Sequence, residues 1–425
     1  MAYYTRYEKL QKCYNDGTPF EPAEFKKGTN LGVAEYSSIE ECQNSSTPPT
    51  PLANCITWEA HKDLNFNFNN NNITTKENPW CTKEKVSGLD FHQTNSGIVS
   101  LDITIDKTNS ISTMVSSFEK LSDLKSVKLN IPKATSLSDI SRMFEGSTNL
   151  TSINFINFDT SHVTTADSAF RSCSSLTSLD LGNWSTSNLQ SANWMFDGCS
   201  SLSTLDVSNW NTSNLQDAAF MFSNCRSLTS LDVSNWDTSN LQDAAEMFSR
   251  CISLTSLDLG KWNTSNLRRT AQIFAGCNSL TSIDVSNWNT SNLQDAAEMF
   301  HSCNSLASLD VSNWDVSNVK YLKYAFGFCR SLTSLDLSNW NTSKCQDFGF
   351  MFYGCENLET LNLKNFDMSK AITYDSKYGM FGGCNKLNHI ICKQAFKDWC
   401  ITNQDEIELP TAMREGGTGT WTIVN

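Results

Sequence analysis

Pairs of apolar residues two positions apart recur along this chain at a fixed step of 26. They run Leu101/Ile103, Val127/Leu129, Ile153/Phe155, Leu179/Leu181 and onward in register to Leu361/Leu363, which makes eleven strands without an insertion. A twelfth follows at Ile390/Cys392, after three extra residues near 372–377. In the copy LTSLDVSNW, Leu231 and Val233 point one way and Ser230, Asp232 and Ser234 the other, the period-two alternation of a strand. Identical strands stacked in order must run parallel, and a fixed period in this range is the signature of a solenoid. Cysteines at 173, 199, 225, 251, 277, 303, 329 and 355, and phenylalanines from Phe118 through Phe144 and Phe170 to Phe352, keep the same step.

After Trp236 comes DTSNLQDAAEMF. There Leu241, Ala244, Ala245, Met247 and Phe248 fit the apolar stripe of a short helix, and Ser239 followed by Gln242 has the form of a capping box. The expected fold is therefore an α/β repeat, a solenoid of about twelve coils with one parallel strand and one short helix in each. A single coil cannot bury its Leu, Trp, Phe and Cys, so neighbours close the core from both sides. The tryptophans from Trp184 to Trp340 are in phase with the inward Leu and give way to Phe158 and Phe366 near the ends, which places them in the core. Nine cysteines, counting Cys384, hold equivalent places. An odd ladder cannot pair fully within itself, and it reads as a reduced column of small core residues. No CxxC pair or Cys/His cluster suggests zinc. Cys13, Cys42, Cys55 and Cys81 lie outside the array, and spacing alone does not decide whether they pair.

Four segments follow from the pattern. Residues 1–43 read as short strands around turns at Asn15-Asp16-Gly17 and Lys27-Gly28. Residues 44–97 open with a polar, proline-bearing linker, NSSTPPTPLAN, and contain the asparagine-rich NFNFNNNN, expected to be a loop. Residues 98–392 are the solenoid. Residues 393–425 leave the period, with a helix expected near 395–400 and a last strand at 418–424, and suit the task of covering the final coil. A net charge of −13 argues against nucleic acid, whose phosphates need a basic face. No run approaches the eighteen apolar residues of a membrane span, and MAYYTRYEKLQKCYNDG has no apolar core of a secretory signal.

The most regular exposed feature is an aspartate ladder: Asp180, Asp206, Asp232, Asp258, Asp284, Asp310 and Asp336. A flat ladder offers few converging oxygens to calcium, so solvated or structural carboxylates are weighed against a cation site. His61, His92, His162, His301 and His389 are scattered, and no nucleophile–base set or phosphate-cradling loop occurs. The expectation is no enzyme, no cofactor and no metal. Arg268-Arg269 is a local basic departure. The repeat is broken between residues 321 and 353 by Tyr321, Tyr324, Phe328, Phe348, Phe350 and Tyr353. Aromatic rings on a rigid surface anchor sugars or protein partners; the alternative is packing beneath the 372–378 insertion or the C-terminal segment.

The copies of MFSNCRSLTSLDVSNWDTSNLQDAAEMF resemble the bacterial surface-protein repeats of about 26 residues, leucine-rich-repeat-like and of BspA type, over roughly 140–390. That resemblance implies adhesion or surface display without a catalytic site. The N-terminal pattern Tyr7-Glu8-Lys9, Gly17, Pro19, Pro22, Phe25-Lys26-Lys27-Gly28 and Glu40-Glu41-Cys42 resembles the opening of tail- or fibre-type virion proteins from phages of gut Bacteroidales. It implies that residues 1–43 dock to other virion proteins while the solenoid meets a host-surface glycan or protein. A bacterial surface adhesin and an intracellular interaction scaffold are the alternatives. A homo-oligomer is compatible with this reading, although no heptad demands one.

Overall fold

The computed structural model describes residues 62–69, 72–74, 98–105, 112–131 and 137–424. The expected docking module at 1–43, and Cys13, Cys42, Cys55 and Cys81, lie outside the described residues. The chain divides into two compact units, Met1–Leu189 and Gln190–Asn425. Coils of one kind fill both, and the fold is a parallel β-solenoid of about eleven coils with little helix.

In the first unit, β1 (Lys62–Asn69) and β2 (Asn72–Thr74) form an antiparallel hairpin, and β1 lies parallel to β3 (Ile98–Ile105). Next come β4 (Ser126–Asn130) and β5 (Ser152–Ile156), with Leu101, Val127 and Ile153 side by side, each one repeat on from the last. A two-residue β6 (Ser178–Leu179) follows. The asparagine-rich stretch is thus a strand where a loop was expected. Its alternation of Leu64, Phe66 and Phe68 with polar residues outweighs the bias in composition.

In the second unit the strands begin short, as β7 (Thr204–Leu205), β8 (Ser256–Leu257) and β9 (Ser282–Ile283). They end in a four-stranded parallel sheet of β10 (Ser334–Asp336), β11 (Thr360–Asn362), β12 (His389–Cys392) and β13 (Thr420–Ile423), where Leu335, Leu361, Ile390 and Trp421 line up. Helix α1 (Gln394–Thr402) connects the last two strands and buries Phe396 and Cys400.

The helix expected in every coil is replaced by a column of turns. Alternate amides of one coil donate to carbonyls of the next: Ala244 to Arg269 at 3.1 Å, Glu246 to Ala271 at 2.9 Å, Phe248 to Ile273 at 2.9 Å and Arg250 to Ala275 at 2.6 Å. Between them run local turns, with the Met247 amide on the Ala244 carbonyl and the Cys251 amide on the Phe248 carbonyl. Glu246 and Arg250 have φ of 55° and 57°, left-handed values that an α-helix does not admit. The same two positions are left-handed in coil after coil, at Trp194, Phe220, Gln272, Glu298, Tyr324 and Phe350, and at Gly198, Asn224, Gly276, Ser302, Phe328 and Gly354. The capping box fails for the same reason: Ser239 donates its amide to Asp237 Oδ1 at 3.0 Å, and the Gln242 amide bonds Gln216 O at 2.9 Å in the coil before.

Gly276 occupies with φ +74° the place Arg250 holds one coil earlier. Left-handed backbone costs a non-glycine residue about 1–2 kcal/mol, part of which glycine returns as chain entropy. Arg250→Gly is therefore expected to raise unfolding free energy by up to about 1 kcal/mol and Gly276→Ala to lower it by about 1 kcal/mol, both read from urea midpoints.

The core is built as columns. Phe248 and Phe274 stack at 5.9 Å between centroids, Trp236 and Trp262 at 6.5 Å, and Trp262 and Trp288 at 6.3 Å, all within 3° of parallel. Several polar atoms in these columns bond to a neighbouring coil, although Nε1 of Trp210 and Trp288 finds no partner among the described residues. Trp262 Nε1 donates to Val233 O, Cys277 Sγ to Phe248 O, Thr238 Oγ1 to Asn263 O and Asn240 Nδ2 to Ser213 O. They tie coil to coil, Val233 O and Phe248 O accepting them in addition to the local turn amides of Trp236 and Cys251. The repeat cysteines are buried free thiols held in this way.

Candidate functional site

Each coil turns three corners, and an Asp or Asn closes most of them on itself; the third corner holds Ser191, Arg269 and Tyr321 in three of the coils. In one coil Asp232 Oδ1 accepts the Ser234 amide, Asp237 Oδ1 the Ser239 amide and Asp243 Oδ1 the Ala245 amide, at 3.1, 3.0 and 2.9 Å. This is the Asx-turn, in which a short carboxylate or amide mimics backbone. The exposed ladder is the first of these corners. Asp206, Asp232, Asp284 and Asp310 each take a Ser amide and the same Ser hydroxyl, Asp336 takes the Ser338 amide, and Asp180 and Asp258 take the amides of Gly182 and Gly260. The serine hydroxyl is the main reason that the carboxyls of Asp206, Asp232 and Asp284 sit below the usual value. The ladder therefore has a turn-forming task in every coil. Among the described residues no group of three or more His, Cys, Asp and Glu is placed to hold a metal. Arg269 of the basic pair is tied to Asp243 one coil back, at 2.8 Å.

The turn column carries the departure from the repeat. Its first left-handed position holds Trp194 and Phe220, stacked at 3.6 Å, then Glu246, Gln272 and Glu298, then Tyr324 and Phe350, stacked at 4.6 Å. Around the second pair the rings form a connected ribbon: His301 against Tyr324 and Phe328, Phe328 against Tyr353, and Phe350 against Tyr353 and Tyr378. Tyr324, Phe350 and Tyr353 are half-buried, and Tyr321, on the neighbouring bridge position, is 43% exposed. Burial lowers the pKa of His301 and raises that of Tyr324. Phe348 is not part of this face. It is wholly buried against Phe366, because it stands where other coils place the inward Ala244 or Leu322. His301, Phe328 and Tyr378 complete the ribbon, and of these only Phe328 stood out in the sequence.

The ribbon presents ring edges. Tyr324 and Phe350 lie face to face within 3°, so the faces between them are already occupied. Edges and the Tyr hydroxyls remain for a partner, which suits a protein surface better than the face of a sugar.

Stacked coils with a three-cornered cross-section and a bare turn face define a solenoid repeat protein. The chain belongs to the family described as "Mycoplasma protein of unknown function, DUF285", whose model matches residues 109–231, 201–308 and 271–395. No curated protein sequence matches the chain. Solved structures similar to it include a leucine-rich cell-surface protein of Faecalibacterium prausnitzii, at 17% identity over 81% of this chain and 91% of that one, with a TM-score of 0.35. A leucine-rich-repeat protein of Bacteroides ovatus matches at 18% identity over 84% and 92%, with a TM-score of 0.39. The pneumococcal vaccine antigen PcpA matches at 15% over 88% and 93%, with a TM-score of 0.38.

Proposed function

We propose that this chain is a non-catalytic adhesin of the bacterial cell surface whose turn face, from His301 to Tyr378, binds a protein partner on a host surface. The observation that carries the reading is the half-exposed aromatic ribbon, the larger of two aromatic breaks in a polar, periodic face, the other being the Trp194–Phe220 pair. Scaffold polar groups are consumed in turns and ladders, whereas the ribbon rings do nothing for the repeat that Glu246 or Gln272 does not do in the same place. The resemblance of the repeat to bacterial surface-protein repeats supports the location. The virion-fibre reading, with its particle docking, rests on residues 1–43, outside the described residues.

Beads carrying the full chain are expected to adhere to cultured epithelial cells. The triple variant Tyr321→Ser, Tyr324→Ser, Tyr353→Ser should lower adherence at least about tenfold, since buried aromatic anchors each contribute upward of about 1–2 kcal/mol. Asp206→Asn with Asp232→Asn should leave it unchanged. Adherence that survives the loss of all three tyrosines in a variant of unchanged circular dichroism refutes the assignment of the face.

A further inference from the structure

The C-terminal end of the second unit carries a second site that does not depend on the aromatic ribbon. Between the inserted loop at 372–377 and the first turn of α1 lies a cleft of about 1030 Å³, at the top of the range of about 300–1,000 Å³ typical of small-ligand pockets. Its floor is Phe366 and Phe396, both buried, and its walls are the half-buried Trp399 and Ile372, which is 85% exposed.

Charge narrows the occupant. The whole chain has 32 Lys and Arg against 45 Asp and Glu, yet the lining of the cleft holds two lysines, Lys377 and Lys393, against one carboxylate, Asp367. In the cleft, Lys377 is occupied, bonding Asn403 at 2.7 Å and Glu406 at 2.6 Å, and thereby ties the inserted loop to the C-terminal segment. Asp367 is engaged as well, its Oδ1 accepting the Ser369 amide at 2.8 Å. Lys393 is exposed at the mouth, directly before α1, whose first turn contains no acidic side chain. Lys370, two residues from Ile372, adds a second exposed ammonium beside the loop.

We propose that this cleft binds a carboxylate-bearing saccharide, with the Trp399 ring against the sugar and Lys393 taking the carboxylate. An indole offers an apolar face with a polar edge, and a cation within hydrogen-bond reach of a carboxylate makes the stronger, charge-assisted kind of bond. Asn341 and Asn365 line the cleft as well. Asn341 Oδ1 already accepts the Ser343 amide at 3.2 Å and Asn365 Nδ2 donates to Ser338 O at 2.6 Å, so each offers the other end of its amide, and apolar, amide and cationic groups meet in one concavity. That mixture matches a hydroxylated ring bearing one charge.

The test is calorimetric titration of the full chain at low salt with trigalacturonate, a hyaluronan tetrasaccharide and 3′-sialyllactose, with maltotriose and hexaglutamate as controls. At least one acidic oligosaccharide is expected to bind at least about tenfold more tightly than maltotriose, and K393Q and W399A each to weaken it at least about tenfold. K393Q changes an exposed side chain and so tests the site without risk to the fold. The adhesion variant Tyr321→Ser, Tyr324→Ser, Tyr353→Ser should bind the saccharide normally, which separates this site from the turn face. Absence of binding by all three acidic sugars, equal binding of maltotriose, tighter binding of hexaglutamate, or affinity untouched by K393Q and W399A would each overturn the proposal.

Discussion

Replacing Trp262 by Ala lowers the unfolding free energy by about 3–5 kcal/mol, the range for deleting a large aromatic side chain from a packed core. The side chain stacks on Trp236 and Trp288 and meets Phe248 at 6.2 Å, so both neighbouring coils lose contacts. It also donates to Val233 O at 3.1 Å, and its removal leaves that carbonyl without this partner. Coils contact only their neighbours, so the loss falls on the two interfaces of one coil and should split a single urea transition into two. Trp262→Phe is the control. Phe158 and Phe366 fill the same column elsewhere and remain buried, so this change should cost less than half as much. A midpoint unchanged by Trp262→Ala would mean that the column does not hold the coils together.

Raising the pH should unfold the array, through the thiols. Burial pushes Cys277 and Cys355 up to about 12 from an ordinary value near 9, and moves Cys225, Cys251, Cys303 and Cys329 in the same direction. A thiol whose pKa is raised in the folded chain stays protonated there while the unfolded chain ionises. Its contribution is therefore complete below about pH 9 and is lost as the pH climbs from 9 towards 12, at about 1.4 kcal/mol per pH unit for each such thiol. Several together suffice to exhaust a stability of about 5–15 kcal/mol near pH 10–11. Urea midpoints measured at pH 8 and pH 10 should fall steeply, and less steeply for Cys277→Ala with Cys355→Ala, which separates thiols from tyrosines and lysines titrating in the same window. In the native protein at pH 8 the same thiols should resist maleimide and react once urea unfolds the chain. Rapid labelling of the folded chain, or a midpoint indifferent to pH, would contradict the buried column.

The period, the strand register and the inward Trp and Cys could be read from the sequence because each rests on a two- or 26-residue spacing that stacking preserves. The turn column could not, for a physical reason. Leu241, Ala244, Ala245, Met247 and Phe248 bury the same face whether the backbone closes its hydrogen bonds within the coil, as a helix does, or onto the next coil. The trace of the answer lay in the second left-handed position, where Gly198, Asn224, Gly276 and Gly354 are residues that tolerate positive φ. At the first such position Trp194, Glu246 and Gln272 disguise it. Phe348 was misplaced for a different reason: residue type groups it with the neighbouring rings, although it stands in the inward place that Ala244 holds four repeats earlier, and is buried. The cleft beside α1 left no trace in the spacing, because the insertion and Trp399 meet only once the last coil has closed.

Amide hydrogen exchange on the native chain tests the turn column most directly. The amides of Ala244, Glu246, Phe248 and Arg250, which donate to the next coil, should be protected to the level of global unfolding, and the pattern should return at Ala218, Phe220, Phe222 and Asn224, one repeat earlier. The predicted result is protection of these inter-coil donors above that of Ala245, Met247 and Ser249 between them, which bond within their own coil. Turn segments that exchange like open loops, or that protect both sets equally as a helix would, contradict it.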